Sequence, residues 1–125
     1  MTRTVLIVED AEVCRDTLEI ALMKVPNLSV RSVTTAEEAL LCLDGVEVCA
    51  LVTDLQLPRM DGFELIQAVR AQPARSALPI LVISGNSDPR IRTRAANLGA
   101  SAYFSKPYSP AEVRHKLEEL IGSPH

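Results

Sequence analysis

LVTDLQLPRMDG, residues 51–62, runs an apolar strand into a carboxylate and then turns sharply. Leu51 and Val52 read as the exit of a buried strand, with Asp54 as its last residue. Leu57-Pro58 and then Asp61-Gly62 are turn and helix-start signals. In an open parallel sheet, ligands bind at the carboxyl ends of the strands. A carboxylate delivered there can act as a nucleophile or a metal ligand, and either role needs neighbours.

Those neighbours come from the same pattern repeated along the chain. VLIV (5–8) is a short β-branched run that stops at Glu9 and reads as a buried strand. Ala11, Cys14, Leu18, Ala21, Leu22 and Val25 then recur at helical spacing until Pro26. LSVRSV (28–33) alternates as a second strand. Thr35 and Glu38 form a capping box for a helix lined by Ala36, Ala39, Leu40 and Leu43 and stopped near Gly45. CALVTD (49–54) is the third strand, and the next helix starts near Asp61 with Leu65, Ile66 and Val69 facing inward. ILVIS (80–84) is the fourth strand, with Pro79 at an allowed position. Asp88-Pro89 opens a helix carrying Ile91, Ala95 and Leu98 and closed by Gly99. AYFS (102–105) is the fifth strand. Ser109, Pro110 and Glu112 cap a last helix with Val113, Leu117, Leu120 and Ile121 on its buried side. Five β/α units in a row imply an α/β fold, a mainly parallel sheet with helices on both faces. Right-handed crossovers then bring every strand's carboxyl end to one rim.

The bulk composition fits one domain of 125 residues, with 47% apolar and 23% charged side chains and no Trp. No apolar run approaches the roughly 18 residues a spanning helix needs, and Glu9-Asp10 interrupts the first apolar segment, so neither a membrane span nor a signal peptide is expected. Cys14, Cys42 and Cys49 lack metal-ligand spacing and read as buried thiols of a reducing cytosol. Residues 1–85 hold 7 Lys+Arg against 12 Asp+Glu, a net of −5, while residues 86–125 hold 6 against 4, a net of +2. That is no basic stripe of a nucleic-acid binder. It is an acidic first half of the kind a hard cation favours.

Four strand ends carry polar residues where apolar runs stop: Glu9-Asp10, Asp54, Ser84 and Lys106. Singly, each has an ordinary explanation as a cap, a turn former or a solvated side chain. Together on one rim they make a chemical unit. Three converging carboxylates repel one another unless a cation neutralises them. Mg²⁺ accepts carboxylate oxygens and commonly completes its shell with phosphate. A hydroxyl and an ammonium suit phosphoryl oxygens, and a carboxylate can attack phosphorus to give an aspartyl-phosphate.

The residues VED (8–10), TDLQLPRMDG (53–62), VISG (82–85) and GASAYFSKPY (99–108) make the whole chain resemble a response-regulator receiver domain of two-component signalling, of the chemotaxis-regulator type. The resemblance implies a flavodoxin-like sheet of order 2-1-3-4-5 flanked by five helices. It implies that Asp54 is the phosphoacceptor, and that Glu9, Asp10, Asp54 and the backbone carbonyl of Gln56 hold Mg²⁺, with Mn²⁺ as an alternative occupant. Ser84 and Lys106 match the residues that contact the phosphoryl group, Ser84 and Tyr103 the switch pair, and Gln56, Gly85 and Asn86 the positions that tune its lifetime. The Lys106–Pro107 bond is expected to be cis. Two positions depart from the commonest pattern: Glu9 in the acidic pair is one methylene longer than Asp, and Ser84 lacks the methyl of Thr.

The function so implied is a cytoplasmic phosphoacceptor rather than an enzyme with an external substrate, capable only of accepting a phosphoryl group and slowly losing it. The implied partners are a histidine kinase or histidine phosphotransfer protein upstream, and downstream a protein target, an attached domain or a second copy of the chain joined on phosphorylation. The last helices and strand would form the responsive surface, with Arg90, Arg92 and Arg94 on or beside it. Nucleic acid and membrane are not expected partners. Two rivals remain: a receiver-like interaction module that is never phosphorylated, and a phosphohydrolase working through an aspartyl-phosphate. The second would need a further acid/base carboxylate and a cap, and no DxD stands at the strand end. Since IGSPH directly follows the fifth helix, one receiver domain over 1–125 is expected, without an encoded output domain and with residues 1–3 and 122–125 as loose ends.

Overall fold

The computed structural model describes residues 2–122. In chain order the elements are β1 (Arg3–Val8), α1 (Glu12–Leu22), β2 (Leu28–Val33), α2 (Ala36–Gly45), β3 (Ala50–Asp54), α3 (Gly62–Arg70), β4 (Ile80–Ser84), α4 (Pro89–Leu98), β5 (Ala102–Ser105) and α5 (Pro110–Leu120). A single turn of 3₁₀ helix at Pro73–Arg75, not anticipated from the sequence, leads from α3 toward β4. All ladders are parallel and the order is β2-β1-β3-β4-β5, the flavodoxin-like arrangement of five strands and five helices that the resemblance implied.

The two-residue period of each strand divides the core in two. Leu6, Val8, Leu51, Ile80 and Val82 face α2, α3 and α4, where they pack with Ala39, Leu43, Leu65, Ile66, Val69 and Ala95. Val5, Ile7, Ala50, Val52, Leu81 and Ile83 face α1 and α5, packing with Leu18, Leu22, Val113 and Leu117. Because β1, β3 and β4 are covered on both sides, they read as continuous apolar runs rather than as alternating ones.

Helix starts follow their side-chain caps. Asp61 accepts from the Glu64 amide at 2.9 Å, and the Glu64 carboxylate returns to the Asp61 amide at 3.1 Å, a closed capping box for α3. The boxes expected at Thr35 and Ser109 close on one side only. Each hydroxyl accepts from the amide three residues on. The Glu38 carboxylate accepts the hydroxyls of Thr34 and Thr35 at 2.8 and 3.1 Å. At the other end of α4, Gly99 takes up the left-handed conformation (φ 115°) that ends the helix.

Several expectations need correction. α1 ends at Leu22 with Met23 as its cap, so Val25 is buried from the following turn, not from the helix; Pro26 keeps its predecessor out of helical geometry. Cys14, Cys42 and Cys49 are free but only half-buried, since each lies at the margin of its apolar face. Arg3, expected in a loose end, begins β1, and its guanidinium donates to the Ile121 carbonyl at 2.8 Å. Met1 and residues 123–125 of the expected ends lie outside the described residues. Among the described residues, no helix is long and apolar enough to cross a membrane.

Candidate functional site

Strand phase places the polar groups at the rim. Glu9 follows Val5 and Ile7, Asp54 follows Ala50 and Val52, and Lys106 follows Ala102 and Phe104, so all three share the phase of the α1/α5 face. Val8 pairs with Thr53, which sets Glu9 level with Asp54. Ser84 continues the opposite phase, that of Ile80 and Val82, and Tyr103 packs on the same side. One sheet edge thus carries a charged triad on one face and a hydroxyl and an aromatic ring on the other.

The triad is tightly connected. The Lys106 ammonium lies 2.7 Å from Oδ2 of Asp54 and 2.9 Å from Oε1 of Glu9. Asp54 and Glu9 are buried, at 4% and 1% exposure, while Asp10 beside them is exposed. The second oxygen of Asp54 accepts from the Gln56 amide at 2.9 Å, and the second oxygen of Glu9 accepts from the Ala11 amide at 3.2 Å. Burial raises the Glu9 carboxyl above the ordinary carboxylate value, and the nearby Asp54 charge adds to this against the bonds from Lys106 and Ala11. Burial alone would lower Lys106, but its bonds to Asp54 and Glu9 outweigh that and hold its ammonium well above the ordinary lysine value. Tyr108, two residues on and half-buried, is pushed up to about 12, mainly by burial.

Carboxylate oxygens of Glu9, Asp10 and Asp54 all come within 4.8 Å of one another. Three hard oxygen donors in a cleft fit Mg²⁺, which needs a few carboxylates and keeps water or phosphate elsewhere in its shell. Lys106 partly offsets the same charge, so the pocket is already built around a cation.

The β3–α3 loop is shaped by a close approach. A Cβ on Gly62 would sit 2.6 Å from the Cα of Leu55 and against the Asp54 carbonyl, so any other residue there would push the backbone of the loop aside. The Gly62 amide donates to the Leu55 carbonyl at 2.9 Å. Arg59, in the same loop, has φ 63°. The Lys106–Pro107 peptide is cis, as the resemblance implied, and the Lys106 amide donates to the Ser84 carbonyl at 2.7 Å.

On the other face, the buried Ser84 hydroxyl accepts from the Asn86 amide at 3.1 Å, and the Tyr103 hydroxyl donates to the Asn86 carbonyl at 2.7 Å. The Arg92 guanidinium lies 5.6 Å from the centroid of the Tyr103 ring. Gln56, Gly85 and Asn86 are exposed around the rim, and a Cβ on Gly85 would meet nothing within 4 Å. Two residues beside the site were not singled out from sequence: Arg15, which donates to the Glu9 carbonyl at 3.0 Å, and Tyr108, whose hydroxyl feels the charges of Lys106, Glu9 and Asp54. Neither stands at a strand end, so the apolar-to-polar transitions do not mark them.

The sequence pattern of the response regulator receiver domain matches residues 5–118. The chain belongs to the response-regulator receiver family. This receiver domain is 33% identical to the two-component response regulator ORR13 of Oryza sativa, covering 93% of the chain and 96% of that protein. It is 31% identical to the transcriptional regulatory protein GltR of Pseudomonas aeruginosa over 95% of the chain, yet spans only 49% of that relative. It spans 14% of the gliding motility regulatory protein of Myxococcus xanthus, at 33% identity over 87% of the chain. Among solved structures, the receiver domain of a Pseudomonas aeruginosa sensor histidine kinase, with a magnesium ion coordinated in its active-site cleft, superposes with a TM-score of 0.87. That likeness covers 98% of this chain and all of that one at 27% identity. Receiver domains are signalling domains of two-component systems, and the family binds Mg²⁺ in an acidic pocket.

Proposed function

We propose that this receiver domain accepts a phosphoryl group on Asp54 from the phosphohistidine of a histidine kinase or histidine phosphotransfer protein. The observation that carries the reading is the buried Asp54 carboxylate at the end of β3, bonded to Lys106 at 2.7 Å and clustered with Glu9 and Asp10. An Asp54 oxygen forms the bond to phosphorus, the bond from phosphorus to the donor's imidazole nitrogen breaks, and the imidazole departs carrying that electron pair. Lys106, already on the carboxylate, balances charge on the phosphoryl oxygens, and Ser84 offers its hydroxyl. Glu9, Asp10, Asp54 and the Gln56 carbonyl would hold Mg²⁺, or Mn²⁺ in its place, which neutralises the carboxylates and the incoming phosphoryl group.

The signal leaves through the opposite strand phase. Ser84 and Tyr103 both reach Asn86, so a Ser84 hydroxyl drawn toward a phosphoryl group disturbs the segment to which the half-buried Tyr103 is bonded. Tyr103 then turns inward, and the surface of α4, β5 and α5 changes by a shift between two packings. That surface, with Arg90, Arg92 and Arg94 beside it, meets a downstream protein, an attached domain or a second copy. Gln56, Gly85 and Asn86 border the phosphoryl position and set how fast water removes the group. In this reading the chain is one receiver domain, acts in the cytoplasm and turns over no external substrate.

The test is phosphorylation by acetyl phosphate with Mg²⁺. Wild type should take up an acid-labile phosphoryl group, while Asp54→Ala or chelation of the metal should abolish uptake. Incorporation undiminished in Asp54→Ala would overturn the assignment.

A further inference from the structure

Asp10 is the exposed member of the acidic cluster, and its carboxylate has no hydrogen-bond donor among the described residues, yet its backbone is held on both sides. The peptide before it is held through the Glu9 carbonyl, which accepts from Nη1 of Arg15 at 3.0 Å. The peptide after it is held through the Ala11 amide, which donates to Oε2 of Glu9 at 3.2 Å. Glu9 is in turn held by its own amide on the Val33 carbonyl at 3.1 Å and by Lys106.

The choice made by Arg15 is informative. It stands in the first turns of α1 among Glu12, Asp16 and Glu19, and an Arg and a Glu four apart on a helix form a ready pair. Arg15 makes no ion pair among the described residues, and Glu19 instead accepts the Ser32 hydroxyl at 2.7 Å. The guanidinium is half-buried and directed at the rim. There it adds positive charge beside a cluster suited to a cation, which by electrostatics alone opposes cation binding.

We propose that Arg15 is a positioning residue for the metal site, holding the Glu9–Asp10 peptide so that the exposed Asp10 carboxylate stays with Glu9 and Asp54. The inference rests on the reading of these three carboxylates as Mg²⁺ ligands. A cation held by Glu9 would compete with the Ala11 amide for the Glu9 carboxylate, whereas the bond from Arg15 goes to the Glu9 carbonyl and would not compete with it. Partners that orient metal ligands commonly alter affinity by about 10–100-fold.

The two roles open to Arg15 predict opposite signs, so Mg²⁺ titration calorimetry separates them. Positioning predicts that Arg15→Ala binds Mg²⁺ about 10-fold more weakly, with partial rescue in Arg15→Lys, which can still donate to the carbonyl. Simple charge repulsion predicts tighter binding by Arg15→Ala, and that outcome, or unchanged affinity, overturns the inference. In an Asp10→Ala background, removal of Arg15 should produce little further loss, because the ligand it positions is gone. A full 10-fold loss in that background would instead assign Arg15 a general structural role. Thermal unfolding without metal checks that each variant is folded. Absence of Mg²⁺ binding by wild type would overturn the metal-site reading itself, a result distinct from any of these.

Discussion

Lys106 reaches Asp54 from a different strand and a different β/α unit, its ammonium 2.7 Å from Oδ2. The same ammonium is 2.9 Å from Glu9. One cation therefore joins the ends of β1, β3 and β5, and the acidic site is partly neutralised from within.

Lys106→Met leaves two buried carboxylates facing each other without a cation. Removing one partner of a buried pair generally costs about 3–5 kcal/mol. Lys106 keeps a quarter of its side chain in water (25% exposed), and Glu9 can take up a proton, so the expected loss is about 2 kcal/mol at pH 7. Urea unfolding measures it, and the deficit should shrink as pH falls, because burial and the Asp54 charge raise the Glu9 carboxyl and a proton there relieves the repulsion. A midpoint that does not move would show the pair to be energetically idle.

Glu9 predicts a pH profile. A carboxyl raised by folding contributes stability that is fully present below its unfolded value, near 4.5, and lost as pH climbs through the folded value. Glu9→Gln removes that titration. Without divalent cations the variant should match wild type near pH 4 and become progressively more stable than it toward pH 7. Mg²⁺ should narrow the gap, since wild type retains the full carboxylate set. Parallel stability curves for the two proteins from pH 4 to 7 would contradict the raised value.

Gly62→Ala tests the shape of the β3–α3 loop. The added methyl would meet backbone at Leu55 and Asp54, which cannot move aside as a side-chain tip could. Overpacking of this kind costs about 1–3 kcal/mol. The displacement also acts on Asp54, so acetyl phosphate should label this variant more slowly than wild type even when it is fully folded. Labelling at the wild-type rate would separate the loop from the site.

Arg59→Gly should stabilise. Arg59 holds φ 63°, a conformation that costs an L-residue about 1–2 kcal/mol and glycine almost nothing. Its ion pair with Glu37, at 3.5 Å between largely exposed groups, contributes only tenths of a kcal/mol. Greater freedom of glycine in the unfolded chain offsets part of the gain, leaving about 0.5 kcal/mol. A thermal midpoint lower than wild type would mean that the Glu37 contact outweighs the backbone.

Much of this molecule is legible in the order of its residues. Strand limits at 28–33, 80–84 and 102–105, the Asp88-Pro89 and Gly99 limits of α4, and the start of α3 at Asp61 all depend on local chemistry: β-branching, capping groups, and the backbone demands of Pro and Gly. The polar residues ending the apolar runs were visible for the same reason, because a buried strand tolerates polarity only where it leaves the core. Other features depend on elements far apart in the chain. Which oxygen of Asp54 takes Lys106 is settled by the register of β3, β4 and β5, and that Arg15 turns to the Glu9 carbonyl instead of to Glu19 by the packing of α1 beside β1 and β2. The half-burial of all three cysteines and the tie from Arg3 to Ile121 likewise depend on where helix faces meet the sheet margin. The sequence by itself determined the α/β alternation, the common rim and the identity of the groups on it, because those follow from neighbours a few residues apart. Only the tertiary structure decided their pairing and the division of charge between them, because bonds spanning 52 and 97 residues exist only once the parallel strands are in register.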